Sequence, residues 1–157
     1  MKYITIIFAL YLYNGLHAQQ PVPTFFASEK KLVDERGKVI GKMAMIPGLR
    51  SEVFLKSCVR SKDSSGNYVI EYAFVGQNNL EAHDVTLILQ FEKPFNDVLF
   101  NTEGQVDNVY TTIADNKLGT SYHTSRLAPD AVIKISVIGN KQDPVVITGI
   151  AGQLEKK

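Results

Sequence analysis

Apolar and polar residues alternate with a period of two along most of the chain beyond residue 50, and such alternation predicts half-buried β-strands. The pattern is clearest over 84–92, where Val85, Leu87, Leu89 and Phe91 point one way and Thr86, Ile88 and Gln90 the other. Pro94 ends that run, because proline cannot donate to a ladder. Residues 68–75 repeat it, with Tyr68, Ile70, Tyr72 and Phe74 on one face and Val69, Glu71, Ala73 and Val75 on the other. Residues 131–138 set Ile133, Ile135 and Val137 inward against Lys134 and Ser136 outward. Further strands are expected at 52–62, 97–100, 108–114, 118–125 and 145–150. Turn chemistry separates them at Pro47-Gly48, Asp63-Ser-Ser-Gly-Asn67, the polar loop 76–82, Thr102-Glu-Gly104, Asp115-Asn-Lys117, Leu127-Ala-Pro-Asp130 and 139–143. Upstream, Pro21 and Pro23 make 21–27 an extended lead-in. Residues 31–35 and 38–42 read either as two short strands around Arg36-Gly37 or as a short helix before Gly37.

Seven to eight short strands at about ten-residue spacing, with no strong helical pattern, predict an all-β antiparallel β-sandwich. The expected organisation is a sandwich over 51–152, preceded by an extended segment, 19–50, that can pack on it as a hairpin. A charged, frayed tail is expected over 153–157.

The first eighteen residues stand apart. Lys2 is followed by an apolar run of 11 residues, Tyr3-Ile-Thr-Ile-Ile-Phe-Ala-Leu-Tyr-Leu-Tyr13, and then Leu16-His17-Ala18. A short positive start, an apolar core of this length and a small residue at the cleavage position make a secretory signal. The run is too short to span a bilayer, which needs about 20 apolar residues. The chain is therefore expected to be exported, to periplasm or medium, and not membrane-spanning once the signal is cleaved. No cysteine follows the run, so lipid attachment is not expected.

Removing 18 residues from 157 leaves 139, one domain's worth and enough for a core without staples. The mature balance is 16 basic against 16 acidic residues, with no long like-charge block, which gives no electrostatic reason to bind nucleic acid. Cys58 is the single cysteine, so no intramolecular disulfide is available, and its place in a strand reads as a small buried side chain.

Leu127-Ala-Pro-Asp-Ala-Val-Ile-Lys-Ile-Ser-Val-Ile-Gly139 resembles the corner and following strand of fibronectin type III and related immunoglobulin-like modules, although a tyrosine is usual where Ile133 stands. The block from residue 68 to 91 also resembles the paired strands of bacterial immunoglobulin-like, cohesin-type modules. The resemblance implies an immunoglobulin-like sandwich used for binding or spacing. It carries over no functional residues.

Catalytic chemistry is sparse. Cys58–His83–Asp84 and Ser121–His123–Asp115 can each be written as a triad, but His83 and Asp84 are strand neighbours that point to opposite faces. No metal-ligand spacing and no phosphate loop occur, and no cofactor is expected. Asp63, Asp107, Asp115 and Asp143 read as turn residues, with a loop calcium as the sharper alternative. One constellation suggests binding. If Asp115-Asn-Lys117 is a three-residue hairpin loop, Tyr110 faces Tyr122, and Thr112 and Thr120 share their face. Val109, Thr111 and Ile113 then lie on the other face. Aromatic rings flanked by hydroxyls can stack a sugar or a peptide, although a one-residue slip in register would dissolve the pair. The absence of tryptophan weighs against a carbohydrate platform.

Three functions follow, in order of preference. The first is an exported non-catalytic interaction module with an envelope or extracellular protein partner. The second is a glycan-binding or adhesive module using the tyrosine face. The third is a small secreted hydrolase.

Overall fold

The computed structural model describes residues 30–46, 52–76 and 83–155. The signal, the proline-containing lead-in, the Pro47-Gly48 turn, the body of the 76–82 loop and the last two residues lie outside the described residues.

The described chain is all β, with ten strands and no helix: β1 (Lys30–Val33), β2 (Val39–Met45), β3 (Val53–Lys62), β4 (Tyr68–Gly76), β5 (His83–Phe91), β6 (Asp97–Glu103), β7 (Val106–Ile113), β8 (Gly119–Leu127), β9 (Val132–Ile138) and β10 (Ile147–Glu155). They form two sheets, β1-β2-β10-β5-β8-β7 and β3-β4-β9-β6. All neighbours are antiparallel except β10 with β2, which pair in parallel through Gly149–Ala44 and Ile150–Met45. Two sheets face each other as a β-sandwich, and the inner strands solve their half-apolar pattern by turning one face inward. Among the described residues no helix is long and apolar enough to cross a membrane.

The inward faces are those expected from the alternation. Ile70, Tyr72 and Phe74 of β4, Val85, Leu87 and Leu89 of β5, and Ile133, Ile135 and Val137 of β9 are all buried in one core. Cys58 joins it, and burial pushes its thiol up to about 11, so it stays protonated at neutral pH.

Residues 31–42 follow the first of the two readings, short strands around a turn: β1 and β2 form a hairpin whose second strand pairs with β10, placing it in the larger sheet. Other expectations change. β6 continues through Thr102 to Glu103 rather than ending before a loop there. The last strand begins at Ile147 and runs to Glu155, so the segment read as a frayed tail is paired through Gln153–Thr86, Leu154–Val85 and Glu155–Asp84. Gln153 is buried as a result.

Ile133 sits in the core where the resemblance expects a tyrosine. A different phenol bonds the backbone: the Tyr72 hydroxyl donates to the Val145 carbonyl at 3.3 Å and accepts the Ile147 N–H at 3.1 Å. Tyr72 lies on the smaller sheet and Ile147 opens β10 of the larger, so this one hydroxyl ties the two sheets. Burial drives that phenol far above its ordinary range, so it remains a neutral donor. Tyr72→Phe leaves a buried N–H and C=O without this partner and is expected to cost about 1–3 kcal/mol in urea unfolding. A neutral change would show that the backbone re-pairs at no cost.

Candidate functional site

The two sheets differ in width, and the difference creates the site. β6 is an edge of the smaller sheet and packs over β8: Phe100 meets the Tyr122 ring at 6.3 Å, and Thr102 Oγ1 bonds the Tyr122 hydroxyl at 2.7 Å. β7 lies beyond β8 at the edge of the larger sheet. Six of its eight residues, Asn108 to Ile113, are exposed on both faces.

The β7–β8 register sets which residues appear there. Ala114 N–H donates to the Gly119 carbonyl at 3.0 Å, so the loop holds four residues rather than three. Lys117 adopts a left-handed backbone (φ 55°), and the Asn116 side chain accepts the Leu118 N–H. The extra residue slips the pairing by one: Tyr110 opposes His123, Thr111 opposes Tyr122, Thr112 opposes Ser121 and Ile113 opposes Thr120. Strand side chains alternate, so a slip of one residue sends the partner to the other face.

The four residues expected to share one face are therefore divided. Tyr110 is 64% exposed on the outer face, together with Thr112. Tyr122 is 1% exposed and points into the core, and burial raises its phenol above the ordinary range. Thr120 is buried on that inner side and donates to the Thr112 carbonyl. The Tyr110–Tyr122 pair does not form.

Two surfaces stand in its place. On the outer face the Tyr110 ring lies 6.2 Å from the His123 ring, tilted by 31°. His123 Nδ1 and Thr86 Oγ1 share a hydrogen bond of 3.0 Å, and Thr112 and Ser121 hydroxyls bond each other. On the inner face Val109 (43% exposed), Thr111 and Ile113 (46% exposed) form a row that no strand of the smaller sheet covers among the described residues. Alternation alone places that row on the face opposite Tyr110. That the facing sheet stops short of it has no local signal in sequence. His123 takes the place beside Tyr110 expected for Tyr122 because the loop holds one residue more.

The Ser121–His123–Asp115 triad is not assembled. Ser121 Oγ bonds Thr112 and His123 Nδ1 bonds Thr86, so serine and histidine look away from each other. His83 and Asp84 are consecutive on β5, whereas Cys58 lies on β3 of the other sheet. Asp63 accepts N–H groups of Ser65 and Asn67 and the Asn67 amide, which hold its carboxyl below the usual range. Asp107 and Asp143 meet Arg126 and Lys93. Among the described residues no three His, Cys, Asp or Glu side chains converge as metal ligands. The chain matches no family model, no curated protein and no solved structure, so the open corner of the sandwich at β6 and β7 is read from its own geometry.

Proposed function

We propose that the protein is an exported, non-catalytic interaction module that accepts an extended strand of an envelope or extracellular protein partner along the open β6 edge. The uncovered row Val109, Thr111 and Ile113 carries this reading. β6 pairs only with β9 among the described residues, so its other edge is open to a further strand; the Asp97 and Asn101 side chains accept the Val98 and Thr102 N–H groups there, and an added strand takes their place. A strand added there becomes a fifth strand of the smaller sheet and lies over β7. Its backbone completes the ladder, and its alternate side chains cover the apolar row, the combination used in strand addition. The spacing of the row asks for Val, Ile or Leu at every second position of the partner. An immunoglobulin-like module is the finer reading of the fold, supported by the two facing sheets and the buried alternation after the Leu127–Asp130 corner. Export rests on the signal-like first eighteen residues.

Thr111→Lys places a charge beneath the incoming strand at an exposed position, where surface substitutions change stability by less than about 0.5 kcal/mol. The wild-type chain, immobilised against envelope and secreted extract, is expected to retain one stoichiometric protein that Thr111→Lys releases. Equal retention by the variant, or none by the wild type, removes the reading.

A glycan is the second reading, favoured by the exposed Tyr110 ring beside His123 and the surrounding hydroxyls.

A further inference from the structure

Two hairpin turns at one end of the sandwich repeat one pattern. Asp34-Glu-Arg-Gly-Lys38 joins β1 to β2, and Asp63-Ser-Ser-Gly-Asn67 joins β3 to β4. In each, one carboxylate oxygen of the leading Asp accepts two backbone N–H groups at 2.9 Å, from Arg36 and Lys38 or from Ser65 and Asn67. In each, the fourth residue is a glycine in the left-handed region, Gly37 (φ 76°) or Gly66 (φ 83°), where a side chain would be strained. The turns belong to different sheets.

Beside them the inner faces change character. Two residues beyond Leu32 comes Asp34; two and four beyond Cys58 come Arg60 and Lys62; two before Ile70 comes Tyr68. The apolar core thus opens into a charged cleft of about 370 Å³. Four cations, Arg36, Lys38, Arg60 and Lys62, line it with Tyr68 and the carboxylates of Asp34 and Glu35. Arg60 and Lys62 stand 4.4 and 4.3 Å from the centre of the Tyr68 ring. A hydrogen bond from Arg60 and the charge of Lys62 hold that phenol below its usual range.

What sets these cations apart is that four of them line one cleft. Lys93, Arg126 and Lys134 each meet a carboxylate, whereas none of the four cleft cations forms an ion pair among the described residues. Asp34 is partly occupied in capping its own turn. Two arginines supplied from opposite sheets present planar forks that suit a tetrahedral oxyanion.

We propose that this cleft binds a phosphate or sulfate group, held between Arg36 and Lys38 of the first turn and Arg60 and Lys62 of β3. The site is separate from the β6–β7 corner and stands or falls without it. The Tyr68 ring, over which Arg60 and Lys62 lie, positions those two cations for the anion.

Calorimetric titration of the exported chain with inorganic phosphate, sulfate and phenyl phosphate at fixed ionic strength tests the site, since exposed charges are screened by salt. Saturable binding that Arg36→Gln or Arg60→Gln weakens by about tenfold or more supports it. Arg36 lies on an exposed turn, so its replacement leaves the core untouched even if the Arg60 variant loosens Tyr68. Tighter binding of phenyl phosphate than of inorganic phosphate identifies an ester as the ligand, and equal binding identifies the free ion. Absence of saturable heat with all three probes, or binding that neither variant weakens, overturns the proposal.

Discussion

Tyr122→Ala is expected to lower the unfolding free energy by about 3–5 kcal/mol, the range for removing a large buried aromatic ring. The ring is 1% exposed, packs on Phe100, and its hydroxyl reaches Thr102 on the facing sheet. Truncation leaves a cavity between β8 and β6 and takes the partner from the Thr102 hydroxyl. Tyr110→Ala, two-thirds exposed on the neighbouring strand, is expected to stay within about 0.5 kcal/mol of wild type. Urea unfolding of the two variants side by side reads the register directly. Similar small losses would restore the three-residue loop and bring both tyrosines to the surface. The same pair separates the functional readings: Tyr110→Ala abolishes glycan retention if the outer face binds sugar and leaves strand capture at β6 unchanged.

The register of that hairpin shows where local pattern runs out. Tyr110, Thr112 and their neighbours alternate as expected, but the face they share with β8 depends on whether the loop holds three residues or four. Lys117 decides it by taking a left-handed backbone that is uncommon for a residue with a long side chain. Nothing in Asp115-Asn-Lys117 announces this, because Asn116 is the residue that ordinarily signals such a turn. The strand cores of β4, β5 and β9 were legible because burial on one face enforces a period of two. β10 was legible only at its start: Gly149 and Gly152 interrupt the apolar alternation, and its far end is held by backbone pairing to Asp84 and Thr86. The parallel contact between β2 and β10 joins residues about a hundred positions apart and leaves no local trace. The overhang of β7 depends on the strand count of each sheet, which is equally non-local. The two Asp-x-x-Gly turns are visible in the sequence, but the cleft between them is not, because it needs hairpins of two different sheets side by side.

Leu87→Ala is expected to cost about 2–5 kcal/mol, toward the upper end, because the structure around it cannot close over the hole. Leu87 lies fully buried on the inner face of β5. β5 is held on both sides, by β10 and by β8, so its backbone is not free to move inward. Its direct neighbours across the sheet are Gly152, which has no side chain to lend, and Tyr122, whose ring is already fixed between Phe100 and Thr102. Relaxation is what moderates such truncations, and here each route is blocked. Urea unfolding should show a lower midpoint with an unchanged slope, since the surface exposed on unfolding is nearly the same. Ile88→Ala offers the comparison: Ile88 faces the other way, in a small cluster with Ile46 and Ala151, and should cost less. A larger loss at Ile88 than at Leu87 would mean that β5 is shifted by one residue. The sheet facing the four-stranded layer would then be the polar side of β5, which no sandwich of these two sheets accommodates.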